Sequence, residues 1–163
     1  MKQVIQPPNR LAEAAVKDRG PNLATILQRV NAGIDKLQQD YEEELQAELR
    51  ALGVAADLLA EAERGEAKRL LGELFDLAHE IRGLAGSFGY PLLSKIANAL
   101  CTVIERQSAF NSAIIEVVLH HVGAMRAVAA GSVKGDGGRQ GAELLASLQA
   151  LTEKAAAQPD PGA

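Results

Sequence analysis

From Asn22 onward, apolar residues recur at Leu23, Ile26, Leu27, Val30, Ile34, Leu37, Tyr41, Leu45, Leu49 and Leu52. Steps of three and four keep them on one helical face, so the pattern predicts a long amphipathic helix capped by Asn22. It continues through Leu58 and Leu59 and ends by Gly65, with Gly33 or Gly53 as candidate breaks. A second helix spans about Glu66 to Phe88, where Gly89-Tyr90-Pro91 stops it. A third covers roughly Leu92 to Arg106, and a fourth runs from Asn111 or Ser112 to about Ala130. The stretch "GSVKGDGGRQG" holds five glycines in eleven residues and reads as a flexible loop. A short last helix, about Glu143 to Lys154, precedes the tail "AAAQPDPGA".

Short connections between the second, third and fourth helices imply antiparallel neighbours. The expected fold is therefore all-α: an antiparallel up-down four-helix bundle with an extra N-terminal helical segment and a short C-terminal helix. The expected organisation is an arm with a short helix over 1–20, with Pro7 and Pro8 blocking helix early on. A bundle follows over 21–131, then the glycine-rich loop and last helix over 132–156, and a loose tail over 157–163. The first half of the long helix holds two or three heptads. Folding back on the bundle is the default reading for it; pairing with a second protomer is the alternative, so a monomer is favoured and a dimer left open.

Composition narrows the class. Of 163 residues, 47% are hydrophobic but only 3% aromatic, which favours packed Ala/Leu helices over a sheet. A net charge of −4, with both signs interspersed, argues against a nucleic-acid or anionic-membrane surface. The single cysteine, Cys101, excludes an internal disulfide and fits a cytoplasmic setting. The first residues lack the apolar run of a signal peptide, and no continuous apolar stretch reaches the ~20 residues of a membrane span. No metal-ligand spacing, phosphate-cradling loop or nucleophile elbow is present.

The chemistry concentrates in "HEIRGLAGSFG", residues 79–89. At a helical step of ~100°, Leu70, Leu74, Leu77, Ile81, Leu84 and Phe88 fall about 140–220° from His79. They form the core side, so His79 faces solvent. Gly72, Gly83 and Gly86 fall within about 40° of it and Arg82 within about 60°, while Asp76 and Glu80 lie at about 60° and 100°. Glycine costs ~1 kcal/mol against alanine inside a helix, so a glycine stripe needs a reason. Helix–helix packing would place glycines on the apolar side, where they are not. Close approach of another molecule to the backbone around His79 accounts for them. An exposed imidazole is a nucleophile and proton carrier, and a guanidinium three residues on balances an incoming dianion. Together they suit a phosphoryl group carried on the ring. Phe75 and Tyr90 supply apolar docking area beside it, with partial core burial as their other reading.

"AHEIRGLAGSFGY" resembles the signature of histidine phosphotransfer domains, His-x-x-Lys-Gly-x-x-x-x-x-Gly, at His79, Gly83 and Gly89. The resemblance covers roughly Gln39 to Ala130. It implies that His79 accepts a phosphoryl group from a receiver-domain aspartate and relays it to another response regulator. The partners it implies are response-regulator receiver domains and a hybrid sensor histidine kinase. It also implies a carrier rather than an independent catalyst, with no ATP site and no cofactor of its own, the receiver supplying Mg2+. Arg82 takes the phosphate-neutralising position usually held by Lys, and Gly83 admits the receiver's active-site loop. Where the family often places a ring-orienting Gln, the register gives Cys101; a buried small hydrophobe is the plainer reading of that thiol.

Two other readings stay open. "HEIR" also resembles the phosphoacceptor box of sensor histidine kinases, which would make the chain a dimeric kinase-like helical hairpin, though Gly83-Leu84 replaces the usual Thr or Asn and Pro. A non-catalytic helical adaptor would leave His79 an ordinary surface residue. His120 and His121, adjacent on an apolar helix, read as one solvated and one half-buried side chain.

Overall fold

The computed structural model describes residues 22–106 and 112–157. The expected arm over 1–20 and the tail from 158 lie outside the described residues. Five helices are described: α1 (Leu23–Glu61), α2 (Arg64–Ala85), α3 (Pro91–Glu105), α4 (Ser112–Ala130) and α5 (Gly138–Ala156). The chain divides into two compact units, Met1–Asp40 and Tyr41–Ala163.

The described part of the first unit is the beginning of α1. Asn22 caps it as expected, its Oδ1 accepting from the Thr25 amide at 2.8 Å. Neither Gly33 nor Gly53 breaks α1, which stays continuous to Glu61. The apolar side chains along its start, Leu23, Ile26, Leu27, Val30, Ile34 and Leu37, are exposed.

The second unit is the helical bundle. From Tyr41, α1 buries Leu45, Leu49, Leu52, Ala55, Ala56 and Leu59. Each buried leucine contributes roughly 1.5–3 kcal/mol of transfer free energy. Helix α2 buries Ala67, Leu70, Leu74, Ala78, Ile81 and Ala85. That face is centred about 40° round from the expected one. The buried alanines let neighbours approach closely, which tips Leu84 out to 40% exposure and leaves Leu77 and Phe88 half-buried. Helix α2 packs on α3, α3 on α4, and α5 on both α3 and α4. The Phe88 ring stacks on Tyr41, centroids 4.0 Å apart. Burial beside Glu48 pushes the Tyr41 phenol up to about 12.

Helix α4 is long and apolar enough to cross a membrane by length and composition, but half of it is buried in the bundle, as a core helix requires. Its two histidines separate as their adjacency demands. His120 is exposed, while His121 is 1% exposed rather than half-buried, its Nδ1 sited 2.8 Å from the Val117 carbonyl. Burial lowers the His121 pKa.

The glycine-rich connection is pinned, contrary to the flexible loop that its composition implies. Gly135 donates to the Gly89 carbonyl at 2.8 Å and accepts from the Leu92 amide at 3.2 Å. At Gly137, with φ +69°, a Cβ would come within 2.7 Å of Leu92, and at Gly141 one would collide with the Asp136 carbonyl. These glycines permit close approach. The last helix accordingly starts at Gly138, earlier than expected, and runs for 19 residues.

Candidate functional site

Helix α2 carries the candidate residues and α3 braces them. The chain leaves α2 through a tight turn in which the Tyr90 amide donates to Ala85 at 2.8 Å. Gly89 takes φ +88°, a left-handed conformation that glycine adopts without strain. Pro91 then opens α3, where its missing N–H costs nothing. Ser94 Oγ donates to the Arg82 carbonyl at 2.8 Å, tying the first turn of α3 to the last turn of α2.

His79 is exposed. Its ring lies 5.9 Å from the Phe75 ring, tilted by 34°, and its nitrogens have no hydrogen-bond partner among the described residues. The imidazole thus sits beside an aromatic ring at an exposed position of α2. Arg82, half-buried, sends Nη1 to the Asn98 Oδ1 at 3.2 Å. It enters no ion pair among the described residues, so its positive charge is uncompensated.

A Cβ at Gly72 or Gly83 would meet nothing within 4 Å. Nothing inside the fold requires glycine at either position; the space beside His79 is open. Gly86 differs: a Cβ there would touch Ser94 Oγ at 3.7 Å, so this glycine faces α3 as well as solvent. Asp76 and Glu80 are exposed. Glu80 lies near enough to Glu48 to help raise that carboxyl's pKa, after burial, the larger cause.

Two assignments change. Tyr90 is 6% exposed and its hydroxyl donates to Glu42 at 3.1 Å, so the ring belongs to the core and offers no docking face. Cys101 is buried with its thiol 3.9 Å from the Phe75 carbonyl, not on the imidazole. It cannot orient the His79 ring directly. Burial pushes that thiol's pKa up, with Arg82 opposing. Phe75 divides between both of its readings, half-buried against the core and in ring contact with His79.

Asn98 and Ser94 went unread at the level of sequence. Their signal was the register of α3: Asn98 precedes Cys101 by three residues, one turn away along the side facing α2.

The family profile described as Hpt domain matches residues 23–158. The chain belongs to the Hpt domain family. Members carry out histidine phosphotransfer in two-component phosphorelays and interact there with receiver domains and kinases. The match extends beyond the Gln39–Ala130 region at both ends, taking in the first half of α1 and all of α5. No curated protein and no solved structure matches this Hpt domain.

Proposed function

We propose that this Hpt domain is a phosphoryl shuttle, with His79 taking a phosphoryl group from a receiver aspartyl phosphate and handing it to a second receiver. A His79 ring nitrogen attacks phosphorus; the P–N bond forms as the P–O bond to the aspartate carboxylate breaks, and the ring proton passes to solvent. The return step reverses these bonds. The Mg2+ that screens the phosphoryl oxygens belongs to the receiver.

The observation that carries this reading is an exposed imidazole with no hydrogen-bond partner among the described residues, set one helical turn from a guanidinium that enters no ion pair there. Arg82 lies at i+3, within reach of a dianion on the ring, and charge-assisted bonds to phosphate are the strongest it can make. Asn98 holds the guanidinium through its side-chain oxygen without neutralising it. Open space over Gly83 admits the receiver loop that carries the aspartate. Phe75, Asp76, Glu80 and Gly86 border that approach. A hybrid sensor kinase is the natural donor and a response regulator the natural acceptor, in a cytoplasmic setting consistent with one buried, unpaired thiol.

The test uses purified chain incubated with isolated receiver domains charged by acetyl phosphate. Acid-labile, alkali-stable phosphate on the wild type, absent from His79→Gln, supports the reading. Label retained by His79→Gln rejects His79 as acceptor.

A further inference from the structure

Among the described residues, the largest run of exposed apolar side chains is at the start of α1. Leu23 is 71% exposed, Ile26 44%, Leu27 52%, Val30 51%, Ile34 55% and Leu37 63%. Leu23, Leu27, Val30, Ile34 and Leu37 follow steps of four, three, four and three, the alternating d and a positions of a heptad. From Tyr41 the steps become four and four, through Leu45 to Leu49, and these side chains are buried. The heptad register thus coincides with the exposed stretch. Most helical stability in proteins comes from covering an apolar face.

We propose that a second copy of the chain covers this stripe: residues 23–40 of two protomers pair as a short two-helix coiled coil, making the protein a homodimer. The seam is self-complementary, with no charge at any a or d position from Leu23 to Leu37. The flanks also suit a like partner. Ala24, Asn31 and Gln38 take e positions and Ile26, Gly33 and Asp40 take g positions, so two copies meet with no row of like charges. Arg29, Asp35 and Lys36 occupy outer b and c positions.

Area supports the same occupant. The six side chains expose roughly 600 Å² per copy, so a pair buries at most about 1,200 Å², the lower edge of a specific interface. The chain's own N-terminal segment offers less: Val4 and Ile5 are cut off by Pro7-Pro8, and between Pro8 and Gly20 the large apolar residues are only Leu11 and Val16, five apart, against six to cover. The proposal stands independently of phosphoryl transfer.

The test is size-exclusion chromatography with light scattering on the full chain, loaded at about 1 to 100 µM. The expected mass is twice the 17.2 kDa of one chain, falling to that of one chain in Ile34→Asp, with dimer affinity weakened about 100-fold or more by a charge in the seam. Circular dichroism checks that α2–α5 remain folded in that variant. Leu11→Asp/Val16→Asp is expected to stay dimeric. A wild type monomeric at every concentration overturns the proposal and leaves the stripe to a foreign partner. So does an Ile34→Asp protein that remains dimeric, or a dimer lost in Leu11→Asp/Val16→Asp.

Discussion

Replacing Gly72 and Gly83 by alanine separates the demands of the fold from those of the site. Both lie inside α2, and a Cβ at either would meet nothing within 4 Å. Alanine is about 0.8–1 kcal/mol better than glycine in a helix interior, because glycine leaves more backbone freedom to lose on folding. The positions stand roughly 16 Å apart along the axis and share no partner, so the effects add to about 2 kcal/mol. For a chain of this size that raises Tm by about 4–8 °C. Urea and thermal unfolding followed by circular dichroism measure the gain. Gly83→Leu keeps most of it, since leucine is also a good helix former. There, however, the side chain fills the space a receiver loop would enter, and phosphoryl transfer from a charged receiver is expected to fall by about tenfold or more, the equivalent of ~1.4 kcal/mol of lost docking. A destabilised alanine variant would mean that the fold itself needs these glycines. A Gly83→Leu protein that transfers at the wild-type rate would refute the claim that the stripe is cleared for a partner.

Arg82→Ala is expected to slow transfer about 10- to 100-fold with little change in stability, and Asn98→Ala about threefold by loosening the same guanidinium; equal rates in all three proteins would remove Arg82 from the chemistry. Gly141→Ala, whose Cβ would collide with the Asp136 carbonyl, is expected to lower stability by about 2 kcal/mol or more in urea titrations, in contrast to Gly83→Ala. The buried His121 has a lowered pKa, so the unfolded chain binds its proton more readily. The stability this contributes is complete above about pH 6.5 and is lost as pH falls through the lowered folded value; the urea midpoint of His121→Gln should fall less between pH 7.5 and 5.5 than that of the wild type, and equal losses would exclude His121 as the cause. Glu48 has the opposite sign: its pKa is raised and its Oε2 is buried without a partner. Its penalty appears as pH rises, and Glu48→Gln should stabilise the bundle by about 0.5–1 kcal/mol at pH 7.5, an effect that shrinks at pH 5.

Most of the fold was legible because helical periodicity is a long-range signal. The 3.6-residue repeat in α1, α3 and α4 fixed their existence, and Gly89-Tyr90-Pro91 fixed the turn between α2 and α3. Less accessible was anything depending on how neighbours meet. Leu84 sits outside the core because buried Ala78 and Ala85 set the contact face of α2, a choice made by the neighbouring helices rather than by hydrophobicity. The glycine-rich segment misled for a related reason. Its composition describes backbone freedom, but Gly135 spends that freedom on two hydrogen bonds to the start of α3, and no local pattern announces a partner over 40 residues away.

The site divides along the same line. His79, Arg82 and Gly83 lie on a single helix, so their place on one side of it follows from angular arithmetic within α2. The residues that tune them come from α3 and are visible only once two helices are docked. Register against the family pattern pointed to Cys101, whereas the contact to the guanidinium is made one turn earlier, by Asn98. The difference has a physical consequence. The Cys101 thiol meets the Phe75 backbone carbonyl, whereas the Asn98 amide oxygen holds the Arg82 guanidinium itself. If Arg82 is the counter-charge, Asn98→Ala should change the rate of transfer while leaving His79 able to accept phosphate.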